Sequence, residues 1–545
     1  MDPVTVGWYL LLGGGVAVSL AVLLWLARPD GRWKRRLRKR LYLGVPWGTL
    51  TVIALVATFY LFVQDGLSNP YDPIQIPFRA YSYFYPLGML TSGFAHSGLG
   101  HVTGNLLSTL VFGSLAEYAW GHFPDDGGRG SPAVSRLGPP ARIAAWAGAL
   151  VGAGIVTSLF SLGPAIGFSG VVFACVGFTL VRYPIATIVA ALSSGIVTQL
   201  YYALRTPEFR RTARETFSQP WWAGIAIQSH AVGLLVGVIG GLVLLYRRDV
   251  RPSPEHVWLA ALAFAVDRGL WAIYLPVGSE TYRLFRALGM SVVFLLAALV
   301  ASGATATASE FVSRIELTGR EAAFGLVVAS TLALAFVAVP LNLYAVEDPN
   351  AGLGDAESVE IEDYTVFYAE DVENQFVPAV SLPGEVNGTG GGLESSGVIV
   401  VSERRNIWWE EVSERRLAAE GAATVRVGGL TWNENVRANR TTWEVAGGNE
   451  TYNVRLGRAA ADRPVVFRAD PAETDAVIDG RNTTIAPDED SFAVVVSRNN
   501  ETLGTVEIPG DNETATAGGI TVRREDRDLF AERNDTRIRI ARRAE

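Results

Sequence analysis

Through the first 345 residues, apolar positions run almost unbroken for about 20 residues at a time, the length of helix that crosses a bilayer. Ten such runs are readable, at roughly 6–27, 42–64, 101–121, 141–163, 167–182, 184–204, 221–246, 257–276, 285–305 and 321–345. The first opens on an acidic residue, Asp2, and no small-residue cleavage site follows it, so it reads as an anchor rather than a removable signal. Beyond residue 346 the pattern changes to short β-branched runs broken by Gly, Asn, Asp and Pro. Strands are predicted at Val398–Val401, Ala423–Val427, Val465–Phe467, Phe492–Val496 and Ile520–Arg523, with Trp408, Trp409, Trp432 and Trp443 as core anchors. Residues 384–396 are Gly-rich and predict a flexible loop. The fold class is therefore an all-α polytopic membrane part followed by a β-rich soluble domain, a β-sandwich of one or two modules.

Charge divides the chain at the same place. Residues 1–345 hold 25 Lys+Arg and 16 Asp+Glu, a net of +9; residues 346–545 hold 21 and 38, a net of -17, which together give the -8 of the whole chain. Residues 28–40 contain eight Lys/Arg and one acid, which places that loop in the cytoplasm by the positive-inside rule. Nine spans onward, residue 346 falls outside. The acceptor pattern N-x-S/T agrees: it occurs at Asn387, Asn439, Asn449, Asn482, Asn500, Asn512 and Asn534 and nowhere earlier. Two features strain this topology. Asp267 and Arg268 stand near the middle of the run 257–276, where charge is costly. The loop 205–219, placed outside, has four arginines.

A single cysteine, Cys175, excludes an intrachain disulfide. The acidic segment with only two lysines in the chain, Lys34 and Lys39, has the composition of proteins adapted to high salt, as in halophilic archaea; a GC-rich genome also trades Lys for Arg. Nothing in the acidic domain offers the basic footprint that nucleic acid needs. No metal-ligand spacing or phosphate loop is present, so neither metal nor cofactor is expected. The C-terminal domain reads as structural or interactive.

Polar residues inside apolar spans are the candidates for chemistry. Only five histidines occur: His96, His101, His122, His230 and His256. The first cluster places His96 before a span and His101 and Asn105 four apart on one helix face, with Glu117 further along. The second is Gly167-Phe168-Ser169-Gly170, at the start of a short span, where helix amides are left free to receive a developing negative oxygen. The third is His230 followed by Gly233, Gly237 and Gly241, a stripe of small residues that lets another helix approach closely. Each cluster by itself is equally well read as hydrogen-bonded packing between helices. If the glycine stripe packs on the helix that opens at Ser169, imidazole and hydroxyl meet as base and nucleophile.

The ordered set H-x4-H-x3-N, then Glu117, then G-x-S-G two spans later, then H-x2-G-x3-G, resembles the rhomboid family of intramembrane serine proteases. The resemblance covers the six spans from about 42 to 246. It implies Ser169 as nucleophile and His230 as base, a dyad without a third carboxylate. It implies His101, Asn105 and the Ser169 amide as the oxyanion hole, and Phe173 as a ring stacked on the histidine. His96 would be structural, Gly167, Gly170, Gly233 and Gly237 would support the site, and Glu117 would stabilise the fold and its outer loop. The family's Trp-Arg pair in the loop before the second core span is missing; Tyr85-Pro86-Leu87-Gly88 stands there.

The domain organisation expected is a first span and basic loop (1–41), a six-span rhomboid-like catalytic core (42–246), three further spans (247–345) and an acidic extracellular domain (346–545). The function expected is a serine endopeptidase of the cell membrane. Its partners would be transmembrane protein substrates and the lipid bilayer, with substrates or cell-surface components as partners of the outer domain. The alternatives are a proteolytically inactive relative that binds membrane proteins, and a ten-span transporter, for which Asp267 and Arg268 are the only paired charges.

Overall fold

The computed structural model describes residues 10, 13–19, 21–22, 32–123, 138–161, 163–192, 227–248, 250–272, 274–276, 282–284, 286–305, 319–346, 348–354, 357–378, 394–458 and 463–544. In chain order the helices are α1 (Arg32–Arg40), α2 (Trp47–Thr58), α3 (Pro86–Thr91), α4 (Leu99–Ser108), α5 (Ser114–Trp120), α6 (Pro139–Leu159), α7 (Ser169–Arg182), α8 (Ile227–Arg248), α9 (Pro254–Asp267), α10 (Arg286–Thr305) and α11 (Gly319–Asn342). A π-helical turn, Thr109–Gly113, joins α4 to α5 in one continuous run. Among the described residues, four helices are long and apolar enough to cross a membrane: Pro139–Leu159, Gln228–Arg248, Arg286–Ala304 and Glu321–Pro340. Shorter apolar helices cover Trp47–Val63 and Ser169–Arg182.

Most of the first apolar run lies outside the described residues, and the run 184–204 is described only to residue 192. The run 257–276 is not one helix. α9 ends at Asp267, and Gly269 follows with φ +68°. Its amide reaches Val266 O and that of Leu270 reaches Ala265 O, a left-handed glycine closure. Residues Tyr274–Pro276 (β1) then pair with Tyr282–Leu284 (β2) as a hairpin. Asp267 and Arg268, expected in mid-span, therefore sit at a helix end, where they pair at 3.2 Å.

One end of the helical part is marked by arginines. Arg40, Arg142 and Arg248 come from three separate segments and donate to the carbonyls of Tyr118, Ala119, Trp120 and Gly121. Those carbonyls close α5, and cations are favoured at a helix C-terminus. The run α4–α5 extends from there to Leu99 at the far end of the bundle.

Past α11 the chain turns antiparallel. β3 (Tyr344–Val346) pairs with β6 (Phe376–Pro378). A four-stranded sheet has the order β4 (Val359–Ile361), β5 (Tyr364–Glu373), β7 (Glu394–Ser402), β8 (Ile407–Ser413). A short helix, α12 (Glu414–Glu420), capped by the Ser413 hydroxyl, leads into an eight-stranded sheet. Its strands are β9 (Ala422–Gly428), β10 (Asn433–Val445), β11 (Glu450–Gly457), β12 (Val465–Arg468), β17 (Thr514–Ala517), β18 (Ile520–Glu525), β19 (Asp528–Arg533) and β20 (Thr536–Arg543). The third sheet runs β13 (Ala472–Ile478), β14 (Arg481–Pro487), β15 (Phe492–Arg498), β16 (Glu501–Glu507). One core lies between the first sheet and the β9–β12 half of the second. Another lies between the β17–β20 half and the third sheet. The long strand β10 belongs to both, through Val436 and Ala438 in one core and Trp443 and Val445 in the other. All five expected strands are present. Residues 394–396, expected in the Gly-rich loop, belong to β7; residues 384–393 lie outside the described residues.

Ile76 and Tyr81, from the segment between α2 and α3, are buried in the first β-domain core. The β domain therefore packs directly on the helical part.

Candidate active site

Among the described residues α7 and α8 pack backbone against backbone, and glycine is the reason. A methyl placed on Gly237 would stand 1.9 Å from Ala174 O, and on Gly233 2.2 Å from Gly170 O. Backbone thus meets backbone along the stripe. The approach brings His230 Nε2 within 2.6 Å of Ser169 Oγ. Phe173, one turn below Ser169, stacks on the imidazole at 4.3 Å between ring centres and 8° between planes. Gly170 faces α6, where a methyl would meet Thr157. Phe264 of α9 sets its edge against Phe173 at 5.5 Å and 71°.

Ser169 is the first residue of α7, so its amide lies in the turn for which the helix itself supplies no acceptor. Gly167, two residues earlier, has φ +132°, a conformation that needs glycine. A side chain there would also stand 2.7 Å from His101 Nε2 and 3.6 Å from Asn105 Nδ2. His101 and Asn105 of α4 therefore both face the approach to Ser169.

Their protonation follows from the network. The Ser97 amide and hydroxyl both point at His101 Nδ1, at 3.5 and 2.9 Å. An amide can only donate, so Nδ1 accepts and the proton sits on Nε2, on the Gly167 side. His96 Nδ1 donates to Phe94 O at 3.1 Å. Its Nε2 then accepts from Asn105 Nδ2 at 3.0 Å and from the Phe168 amide at 3.4 Å. One Asn105 proton is held by His96 and the other is left for a ligand. His96 is wholly buried, and Gln64 bonds its backbone on both sides.

Glu117 stands elsewhere. Wholly buried, it accepts from the amides of Gly48 and Thr49, both at 2.8 Å, and pairs with His122 at 2.7 Å. It caps the start of α2 at the arginine-marked end, so its expected contact with the outer loop is corrected: the carboxylate compensates a helix N-terminus at the opposite end from Ser169.

Beside Ser169 lies a recess of about 10 Å³ lined by Ser92, Thr157, Ser158, Ser161, Gly167 and Ser229 among others. That is room for about one water or one small group. These hydroxyls, Gln64, Ser97 and Phe264 were not singled out from the sequence. Ser97, one turn before His101, was the legible one; the others carry no spacing signal. Among the described residues no cluster of three or more His, Cys, Asp or Glu could hold a metal ion.

A family model described as the Rhomboid domain matches residues 128–247. The match includes Ser169 and His230 and begins after His96, His101, Asn105 and Glu117. No curated protein and no solved structure matches the chain.

Proposed function

We propose, from the premise that the chain carries a rhomboid domain over residues 128–247, that it is an intramembrane serine endopeptidase. The observation that supports this most is the 2.6 Å contact between Ser169 Oγ and His230 Nε2 under the Phe173 ring. In this reading His230 takes the Ser169 proton as the oxygen attacks a substrate carbonyl. The tetrahedral oxyanion is received by the Ser169 amide, the His101 Nε2 proton and the free Asn105 proton. Removing one such donor typically costs about 2.7–4 kcal/mol of transition-state stabilisation. The imidazolium then gives its proton to the leaving amine. Water, activated by the same imidazole, hydrolyses the acyl-enzyme. Among the described residues no carboxylate is bonded to His230; stacking on Phe173 takes that part.

A transmembrane helix hides its carbonyls in i-to-i+4 bonds, so the substrate must unwind locally. The narrow recess beside Ser169 favours small side chains at the cut. The arginine-marked end would be cytoplasmic by the positive-inside rule. Ser169 and the β domain, at the other end, would then face outward. Residues 42–246 form the catalytic core of this reading and 247–345 its additional spans. The paired-sheet cores are two β-sandwich modules placed to meet substrates or cell-surface components.

The test is cleavage by the full chain in liposomes, with single-span peptides that differ only at one outer-end residue. Alanine, serine or glycine there should give cleavage, and leucine or phenylalanine should not. Absence of cleavage for every peptide would favour a membrane-protein binder without proteolysis.

A further inference from the structure

The segment between α2 and α3 is gripped from two sides by parts of the chain that lie outside residues 128–247. From the β domain, Glu411 of β8 takes both terminal nitrogens of Arg79, at 2.6 and 3.1 Å. Its strand neighbour Trp409 sets its ring against Tyr81 at 6.2 Å and 64°. The charged pair is mostly shielded, with both side chains under 20% exposed. From the last span, Asn342 closes α11 wholly buried. Its carbonyl accepts from the Tyr83 amide at 2.9 Å and the Ser82 hydroxyl at 3.3 Å. Its amide donates to Ser161 O at 2.7 Å and Leu159 O at 3.3 Å.

Between these grips lies Ala80, fully buried. It forms an isolated antiparallel bridge with Ala165, its amide donating to Ala165 O at 3.0 Å. Ile74 and Phe78 of the same segment pack on Ile166. Ala165 and Ile166 lead straight to Gly167, whose amide is fixed by Ser92 O at 2.8 Å and where an added side chain would stand 2.7 Å from the His101 ring. Gly167 is two residues from Ser169. A continuous set of short contacts thus runs from β8 through Arg79–Tyr81 to the segment 165–167 that sets the approach to the nucleophile.

Resting on the reading of Ser169 as nucleophile, we propose that the β domain is a working part of the active site. Glu411 and Trp409 are positioning residues that hold 79–81, and through the Ala80–Ala165 bridge they fix residues 165–167 against His101 and Asn105. The dyad itself is set by α7 and α8 and does not depend on this path. Loosening the grip should therefore weaken oxyanion stabilisation and leave the Ser169–His230 contact intact. Coupling through such contiguous contacts is demonstrated by perturbing one end and reading the other.

The experiment uses the full-length protein in detergent or liposomes, wild type against Glu411→Gln combined with Trp409→Ala. Two readouts are taken. The first is the rate constant for labelling by a fluorophosphonate, separately from the fraction of protein finally labelled. The proposal expects the rate constant to fall about tenfold, the labelled fraction to stay near complete, and the pH profile of labelling to keep its shape. A merely structural role would lower the labelled fraction and spare the rate constant. The second is amide hydrogen exchange over residues 163–167, which needs no catalysis; it should quicken in the variant. Exchanging the ion pair, Arg79→Glu with Glu411→Arg, should restore both towards wild type. An unchanged exchange rate at 163–167 overturns the proposal whether or not the wild type labels. Absence of wild-type labelling with quickened exchange in the variant overturns the nucleophile reading and leaves the mechanical path standing.

Discussion

Gly233 lies so close to Gly170 that a methyl on it would stand 2.2 Å from the Gly170 carbonyl oxygen. No contact of that length is sustainable, so any side chain there must move α8 away from α7. Gly233→Ala is expected to cost about 1–3 kcal/mol of stability by overpacking. Its effect on chemistry should be larger, because the helix that moves carries His230. A displacement near 1 Å costs a reaction about a hundredfold. Thermal unfolding and the fluorophosphonate labelling rate check the two effects separately.

Ser97→Ala removes the hydroxyl that orients His101 and leaves the weaker 3.5 Å amide contact. Labelling should slow by about tenfold, less than the 100- to 1,000-fold typical of losing an oxyanion donor outright. His101→Ala in parallel fixes the scale. Equal effects of the two would mean that Ser97 does more than orient the ring.

Glu117 separates stability from chemistry. Glu117→Ala leaves the Gly48 and Thr49 amides and His122 without their buried acceptor. Leaving a buried donor without its acceptor costs about 1–3 kcal/mol for each group. Its distance from Ser169 implies that the molecules still folded should label at the wild-type rate. Unfolding monitored together with the labelling rate constant decides this.

Acid should loosen the junction between the β domain and the helical part. Arg405 donates to both Asp363 oxygens, at 2.6 and 2.9 Å, and to the Tyr85 hydroxyl at 3.1 Å. Burial pushes the Asp363 carboxyl up, but the hydrogen bonds from Arg405 and Ser402 outweigh it and hold it below the usual carboxylate range. A depressed native value means that the contribution is full above the unfolded pKa of about 3.9 and is lost as pH falls through the lower native value. Hydrogen exchange at the junction should rise in that acid window. In Asp363→Asn it should already be high at neutral pH and change less with acid.

Much of the candidate site was legible because its residues lie on regular helices. His101 and Asn105 are one turn apart, and so are Ser169 and Phe173, so helical period alone places each pair on one face. The meeting of residues 169 and 230 was legible only through the glycines, which say how close two helices can come but not which two. The charged end of α9 was misplaced because Gly269 closes that helix, and a glycine in an apolar run looks like any other small residue. Which helix end Glu117 supports was not legible, because two of its three partners are backbone amides, which leave no trace in side-chain spacing. The bridge from Ala80 to Ala165 had no signal at all, since neither alanine has chemistry and the link is main chain. In the β domain the five β-branched strands were readable. Strands such as β19 and β20, which carry five arginines between them, set their few apolar residues among exposed charge and gave no β-branched run to read.

The measurement that tests the central claim most directly is fluorophosphonate labelling of the full-length protein in membranes, at high salt, for wild type, Ser169→Ala and His230→Ala. An activated serine should give one labelled band in the wild type and none in either variant, with the modified peptide containing Ser169. Labelling that survives Ser169→Ala, or a folded wild type that does not label, would contradict a Ser169–His230 dyad.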